Sequence, residues 1–137
     1  MPQTNHNDPN RASLEAVLRE LYSARVAGDL ERLCALFAQE ATFRISGSSD
    51  GKPIAIAARG SREIRSWLGV LLKTFKLAEH ELTSITIEQP RVAVHWRATI
   101  RSRITGVIAP TEFVDLIEVT DGQITTYTEL LVPISAL

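Results

Sequence analysis

Residues 113–129 read FVDLIEVTDGQITTYTE. Apolar and polar residues alternate on both sides of Asp121-Gly122, and that alternation is the mark of half-buried strands. Asp and Gly both tolerate the positive φ of a type I′ turn, so the dipeptide predicts a tight two-residue hairpin. The turn sets a register: Thr120 opposes Gln123, Val119 opposes Ile124, Ile117 opposes Thr126, and Asp115 opposes Thr128. Opposed residues share a face of the sheet. One face therefore carries Phe113, Asp115, Ile117, Val119, Ile124, Thr126, Thr128 and Leu130, and it is the more apolar of the two. The other carries Glu112, Val114, Leu116, Glu118, Thr125, Tyr127 and Glu129.

Upstream, Val92, Val94, Trp96, Ala98 and Ile100 alternate with more polar residues, which predicts a long strand. A two-residue turn at Thr105-Gly106 would set Trp96 opposite Asp115 and His95 opposite Leu116, bringing Val92, Val94, Trp96 and Ala98 to the inner face. Ile85 and Ile87 alternate in the strand before Gln89-Pro90. Nearer the N-terminus the period changes to that of a helix. Leu14, Val17, Leu18 and Leu21 form one helical stripe. Gly28 closes that helix and Asp29 caps the next, whose stripe is Leu30, Leu33, Cys34 and Phe37. Residues 42–45 read as a short strand, 46–53 as a Gly/Ser/Asp/Pro loop that could act as a lid, and 54–58 as another short strand. Ser61 is a candidate cap for a third helix with the stripe Ile64, Trp67, Leu68, Leu71, Leu72 and Phe75. Helices first and a meander of strands afterwards predict an α+β layer fold. Residues 1–12 read as a flexible polar tail and 13–137 as one domain.

The chain has 137 residues, 45% of them hydrophobic, enough for a core without metals or disulfides. The net charge of −1 gives no concentrated basic surface for nucleic acid. The series Arg91, Arg97, Arg101 and Arg103 reads as a solvated or subunit-contact face. Cys34 is the single cysteine and lies on a helical stripe, where a thiol behaves as a small hydrophobe. Nothing approaches the ~18-residue apolar run of a membrane span, and the N-terminus lacks a secretory apolar segment. A cytoplasmic location is expected. The three histidines lack metal-ligand spacing, and no cofactor is implied.

Asp115 is the residue that points to chemistry. It is expected among Phe113, Ile117, Trp96 and Leu130, with Thr128 as its one polar neighbour. A carboxyl in such surroundings keeps its proton to higher pH, as a general acid or base near neutrality requires. In the competing reading Asp115 is a hydrogen-bonded structural acid.

Residues 28–45 (GDLERLCALFAQEATFRI), 59–68 (RGSREIRSWL) and 113–129 together resemble the NTF2-like superfamily, in particular SnoaL-like polyketide cyclases and ketosteroid-isomerase-like proteins. The resemblance spans roughly residues 13–132. It implies a cone of three N-terminal helices on a strongly curved antiparallel sheet that encloses a pocket. It also implies pairing of two copies through the outer sheet face, where His95, Leu116 and Tyr127 are expected. Aligned without gaps on Gly28-Asp29, the isomerase base falls on Ile45 and its oxyanion Tyr on Leu21, with Tyr22 one place off. That argues against the isomerase's own route. Epoxide-hydrolase relatives need two acids and an Arg together, and Arg97 falls on the face opposite Asp115. Dehydratase-like chemistry needs His and Tyr partners, and His95 points outward while His80 stands at a strand start. The resemblance to the cyclases implies Asp115 as acid/base, with Thr128 orienting it and Trp96, Trp67, Phe43, Phe113 and Ile117 shaping a pocket for a small apolar or carbonyl-containing ligand. The alternatives are a non-catalytic dimeric ligand-binding module and a protein-docking role for the outer sheet face.

Overall fold

The computed structural model describes residues 9–49 and 51–134. Helix α1 (Pro9–Ala27) leads into α2 (Leu30–Cys34). Strands β1 (Phe37–Ser49) and β2 (Lys52–Arg59) follow, then α3 (Gly60–Thr74). The meander is β3 (Phe75–Glu88), β4 (Arg91–Ser102), β5 (Ile108–Thr120) and β6 (Gln123–Pro133). Helix α1 therefore takes in residues 9–12 of the expected tail, while the rest of that tail lies outside the described residues. The sheet order is β2-β1-β6-β5-β4-β3 in one curved, unclosed sheet. It is antiparallel except between β1 and β6, which run parallel. Helix α3 packs on β1 and β2, and α1 packs on β3. Among the described residues no helix is long and apolar enough to cross a membrane.

The α1–α2 corner follows the sequence. Gly28 has φ +70°, Asp29 N–H donates to the Ala24 carbonyl (3.0 Å), and Gly28 N–H donates to that of Arg25 (3.2 Å). This is a Schellman closure, which glycine permits because it has no Cβ. The Asp29 side chain then accepts from Arg32 N–H as the cap of α2. Helix α2 is shorter than its stripe suggests. It stops at Cys34, and Phe37 already pairs with Ile124 in the sheet. Residues 46–49 and 52–53, expected as loop, are strand, since β1 and β2 stay paired out to Ser49 and Lys52. The first turn of α3 is held by Glu63, whose carboxylate accepts from Arg59 N–H, and Ser61 instead donates to the Gln39 carbonyl.

Two expected registers change. The β4–β5 connection is a loop over residues 103–107 rather than a two-residue turn. Its length moves the pairing by two residues, so Trp96 faces Phe113 and Val94 faces Asp115. An even shift leaves the faces as expected. The β5–β6 hairpin keeps its Asp121-Gly122 turn, with φ +52° and +75°, and its first pairs, Thr120 with Gln123 and Val119 with Ile124. The next pair is Glu118 with Thr126. Thr125 is thus an extra residue, a β-bulge, and its hydroxyl bonds the Glu118 carbonyl. One extra residue exchanges the faces of everything beyond it. Tyr127, Glu129 and Leu131 therefore turn into the core, while Thr126, Thr128 and Leu130 turn out.

Candidate functional site

The inner layer of β4, β5 and β6 combines large apolar groups with a buried polar cluster. Trp96 and Phe113, opposed across β4 and β5, stack with ring centroids 3.7 Å apart. Phe43 from β1 stacks on Tyr127 at 5.4 Å. Asp115 and Glu129 stand directly opposite each other on β5 and β6, and both are fully buried.

Asp115 Oδ2 receives three donors: Tyr22 O–H (2.6 Å), Trp96 Nε1–H (2.7 Å) and Tyr127 O–H (3.0 Å). Its Oδ1 is buried without a hydrogen-bond partner. Arg25, at the C-terminal end of α1, grips Glu129 with Nη1 and Nη2 and also donates to the Tyr127 hydroxyl (2.8 Å). The Arg25 guanidinium lies 5.1 Å from the centre of the Trp96 ring, within reach of a cation–π attraction.

Two carboxyl groups thus share one cation. Burial pushes the Asp115 pKa well above the ordinary carboxylate range, and the Glu129 charge pushes the same way; Arg25 and the Tyr22 hydroxyl push back. Donors directed at Oδ2 favour the ionised form, but full burial beside a second carboxylate outweighs them, so Asp115 keeps its proton to higher pH than an ordinary carboxyl. Burial works against the charge of Arg25, yet Glu129 and Tyr127 hold its pKa above the usual guanidinium value. The Tyr22 and Tyr127 hydroxyls are raised by burial and then by Asp115.

A pocket of about 150 Å³ opens beside this cluster, between the end of α1, the end of α3 and the inner sheet face. Ile45, Leu72, Phe75, Ile100, Phe113 and Leu131 supply apolar wall, and Arg25 and Glu129 supply the polar floor. Asp115 does not line this pocket; it lies behind the floor, joined to Glu129 through Tyr127.

Several expected site residues move. Thr128 pairs with Leu116 and lines an outer-face depression, because the bulge at Thr125 turns it away from Asp115, and it cannot orient that acid. Trp67 is 38% exposed at the margin of the α3 stripe and does not line the pocket. Phe43, Trp96, Phe113 and Ile117 are all in the core, and of these Phe113 alone reaches the pocket wall. Tyr127 is inside and not on the outer face. His95 is outside as expected, bonded to Glu112 (2.7 Å). His80 lies within β3, where a bulge with Glu79 at φ +55° brings its ring to 5.1 Å from Trp96 and 5.5 Å from Tyr22. Burial, and then Arg25, lowers its pKa. Burial raises the pKa of the Cys34 thiol, the reverse of an activated nucleophile. Among the described residues no group of acids, histidines and cysteine is placed to hold a metal ion.

Sequence reasoning missed Tyr22, Arg25, Tyr127 and Glu129 as site residues. A signal existed for two of them: Leu18, Leu21, Tyr22 and Arg25 repeat at i, i+3, i+4 and i+7, so the α1 stripe runs on into the polar cluster.

The profile of the SnoaL-like domain matches residues 18–127, most of the chain. The chain belongs to the SnoaL-like domain family. Solved structures of similar fold include an NTF2-like protein from Burkholderia xenovorans LB400, 22% identical with a TM-score of 0.73, covering 88% of this chain and 89% of that one. Another is a polyketide cyclase, so described provisionally, from Xanthomonas campestris pv. campestris, 20% identical with a TM-score of 0.68 over 88% and 91% of the two chains. A third is an LEH-like epoxide hydrolase from M. tuberculosis, 14% identical with a TM-score of 0.68 over 88% and 83%. At these identities the likeness is one of fold. No curated protein matches the sequence significantly. This SnoaL-like chain carries its own polar set on the shared frame: apolar Ile45 stands where the gap-free alignment puts the isomerase base, while Tyr22, one place off, does reach Asp115.

Proposed function

We propose that this SnoaL-like protein performs cofactor-independent acid/base chemistry on a small carbonyl compound, of the isomerase or cyclase type, with Glu129 as the base. One observation carries the reading. Two opposed carboxyls share a single arginine at the floor of an apolar pocket, and only Glu129 of the two faces the cavity. Glu129 accepts a proton from the carbon next to the carbonyl, and negative charge develops on the carbonyl oxygen. Once Glu129 is neutral, Arg25 is released from its ion pair and its charge is available to that oxygen. The proton returns to another carbon in an isomerisation; in a ring closure the carbanion attacks a second carbonyl carbon, and the oxygen left negative there takes the proton back from Glu129. Asp115 acts through Tyr127 as a positioning residue: neutral and hydrogen-bonded, it keeps a second negative charge out of the floor. The pocket is small, which favours compact ligands and holds reacting carbons close.

The convergence of Asp115, Glu129 and Arg25 also favours a second reading. Two acids and an Arg are what the resemblance to epoxide hydrolases requires, and here Arg25 supplies the cation that Arg97 does not. In either reading the outer sheet face, with exposed Leu116, Leu130 and Val132, is the proposed surface for pairing with a second copy.

The test is exchange of carbon-bound protons in D2O. Small cyclic and aryl-alkyl ketones that bind the pocket are expected to lose their α-protons faster with enzyme. Glu129→Gln slows this by about 10²–10⁴-fold, the usual contribution of a positioned base. If ligands bind but no proton exchanges and no epoxide opens, the protein is a binding module and the proposal is wrong.

A further inference from the structure

Three cations and one acid line the pocket: Arg25, Lys76, Arg103 and Glu129. The chain as a whole carries −1, so this one cavity gathers positive charge against the overall balance. Arg25 is engaged by Glu129. Lys76 and Arg103 are different. Both are exposed at the mouth, and among the described residues neither forms an ion pair with an acid. Lys76 is the second residue of β3, while Arg103 begins the loop after β4. Pairing of Phe75 with Ser102 and of Lys76 with Arg101 sets the two chain segments side by side. A hydrogen bond from Arg103 N–H to the Thr74 carbonyl (2.7 Å) ties the loop to the end of α3 and holds Arg103 over the opening. Behind the two cations the walls are apolar: Leu71, Leu72, Phe75, Leu77 and Ile100.

We infer that the ligand of this pocket is amphipathic and anionic, with an apolar body inside and a carboxylate or similar anion at the mouth between Lys76 and Arg103. The inference rests on the pocket proposed above as the site of chemistry and adds the class of molecule that enters it. A carbonyl acid fits both parts, with the carbonyl end at the Arg25–Glu129 floor and the acid end outward. The anion also discriminates. A cationic or neutral analogue of the same shape gains nothing from the mouth, and a ligand entering acid-first would bring its charge against Glu129.

The probes are phenylacetate, phenylacetamide and phenethylamine, which share an apolar ring and differ in charge. Binding is followed by NMR shifts of the Ile45, Leu72 and Ile100 methyl groups at low and high salt. Phenylacetate is expected to bind about tenfold tighter than phenylacetamide, since each exposed ion pair contributes a modest factor and two act together. Phenethylamine is expected to bind weakest. Salt should erode the advantage of the carboxylate, and so should Lys76→Gln with Arg103→Gln, exposed changes that leave the core untouched. Equal binding of acid and amide would overturn the inference and leave the pocket reading standing. An advantage that survives both substitutions would overturn it too, by assigning the anion to Arg25. Binding by none of the three would remove the pocket reading along with it.

Discussion

Replacing Asp115 with Asn tests the protonation assigned to the buried cluster. The side chains are nearly isosteric. The introduced amide carbonyl can occupy the position of Oδ2 and accept from Tyr22, Trp96 and Tyr127, while its NH2 group fills the place of Oδ1. If Asp115 is neutral in the folded protein, this exchanges one neutral group for another. The pH dependence then separates variant from wild type. The folded pKa of Asp115 is raised above its unfolded value, so between the two values the folded state holds a proton that the unfolded state has lost. Stability from this group is fully present below the unfolded pKa, roughly 3.9. It falls as pH rises, by about 1.4 kcal/mol per pH unit, until the folded pKa is passed. The amide of the variant has nothing to titrate. The assay is urea unfolding of both proteins across the range from mildly acidic to mildly basic pH. The stability of Asp115→Asn relative to wild type should climb by about 1.4 kcal/mol for each unit of pH over that window. Parallel curves would mean that Asp115 is not raised. Curves parallel over this range are also what an Asp115 held ionised by its three donors would give, so they refute the neutral acid in either case.

Two further outcomes follow from the same geometry. Arg25→Leu leaves Glu129 buried without its cation and should cost about 3–5 kcal/mol in urea unfolding, whereas Arg25→Leu with Glu129→Leu should recover much of the loss, because an apolar pair carries no uncompensated charge. If the double substitution is no better than the single one, packing and not charge accounts for the effect. On the outer sheet face, Leu130→Lys should convert a dimer to a monomer in sedimentation experiments without changing the unfolding midpoint of the isolated chain. A wild-type chain that sediments as a monomer ends the pairing proposal.

The architecture was legible because it rests on local signals that tertiary structure had no reason to overrule. The stripes of α1 and α3, the Gly28-Asp29 corner and the Asp121-Gly122 turn each report one conformation strongly. The site was legible only as far as Asp115. Its partners depend on where β6 is counted from, and the count changes at Thr125, a residue with good strand propensity and no glycine to announce a bulge. Thr128 was expected across from Asp115 for that reason, and Tyr127 and Glu129 were assigned outward. The 103–107 loop shows the opposite case. Its length was also misjudged, but an error of two residues preserves faces, so Trp96 stayed inside. Arg25 escaped notice because a cation in the last turn of a helix is ordinarily explained by the helix dipole.

The bulge makes the pairing of a single residue a determinant of chemistry. A strand that paired Thr125 in the regular ladder, opposite Glu118, would follow the same turn and fill the same place in the sheet, but it would present Thr126, Thr128 and Leu130 to the interior and send Tyr127 and Glu129 to solvent. The core would lose its acid and its tyrosine together, and Arg25 would have no anion to meet. Thr125 forms no hydrogen bond to the cluster, so a survey of the site by its contacts would pass it over. When sequences on this frame are compared, a regular closing hairpin with the same interior therefore aligns with a one-residue gap at Thr125, and an alignment that closes the gap sets the wrong side chains against each other.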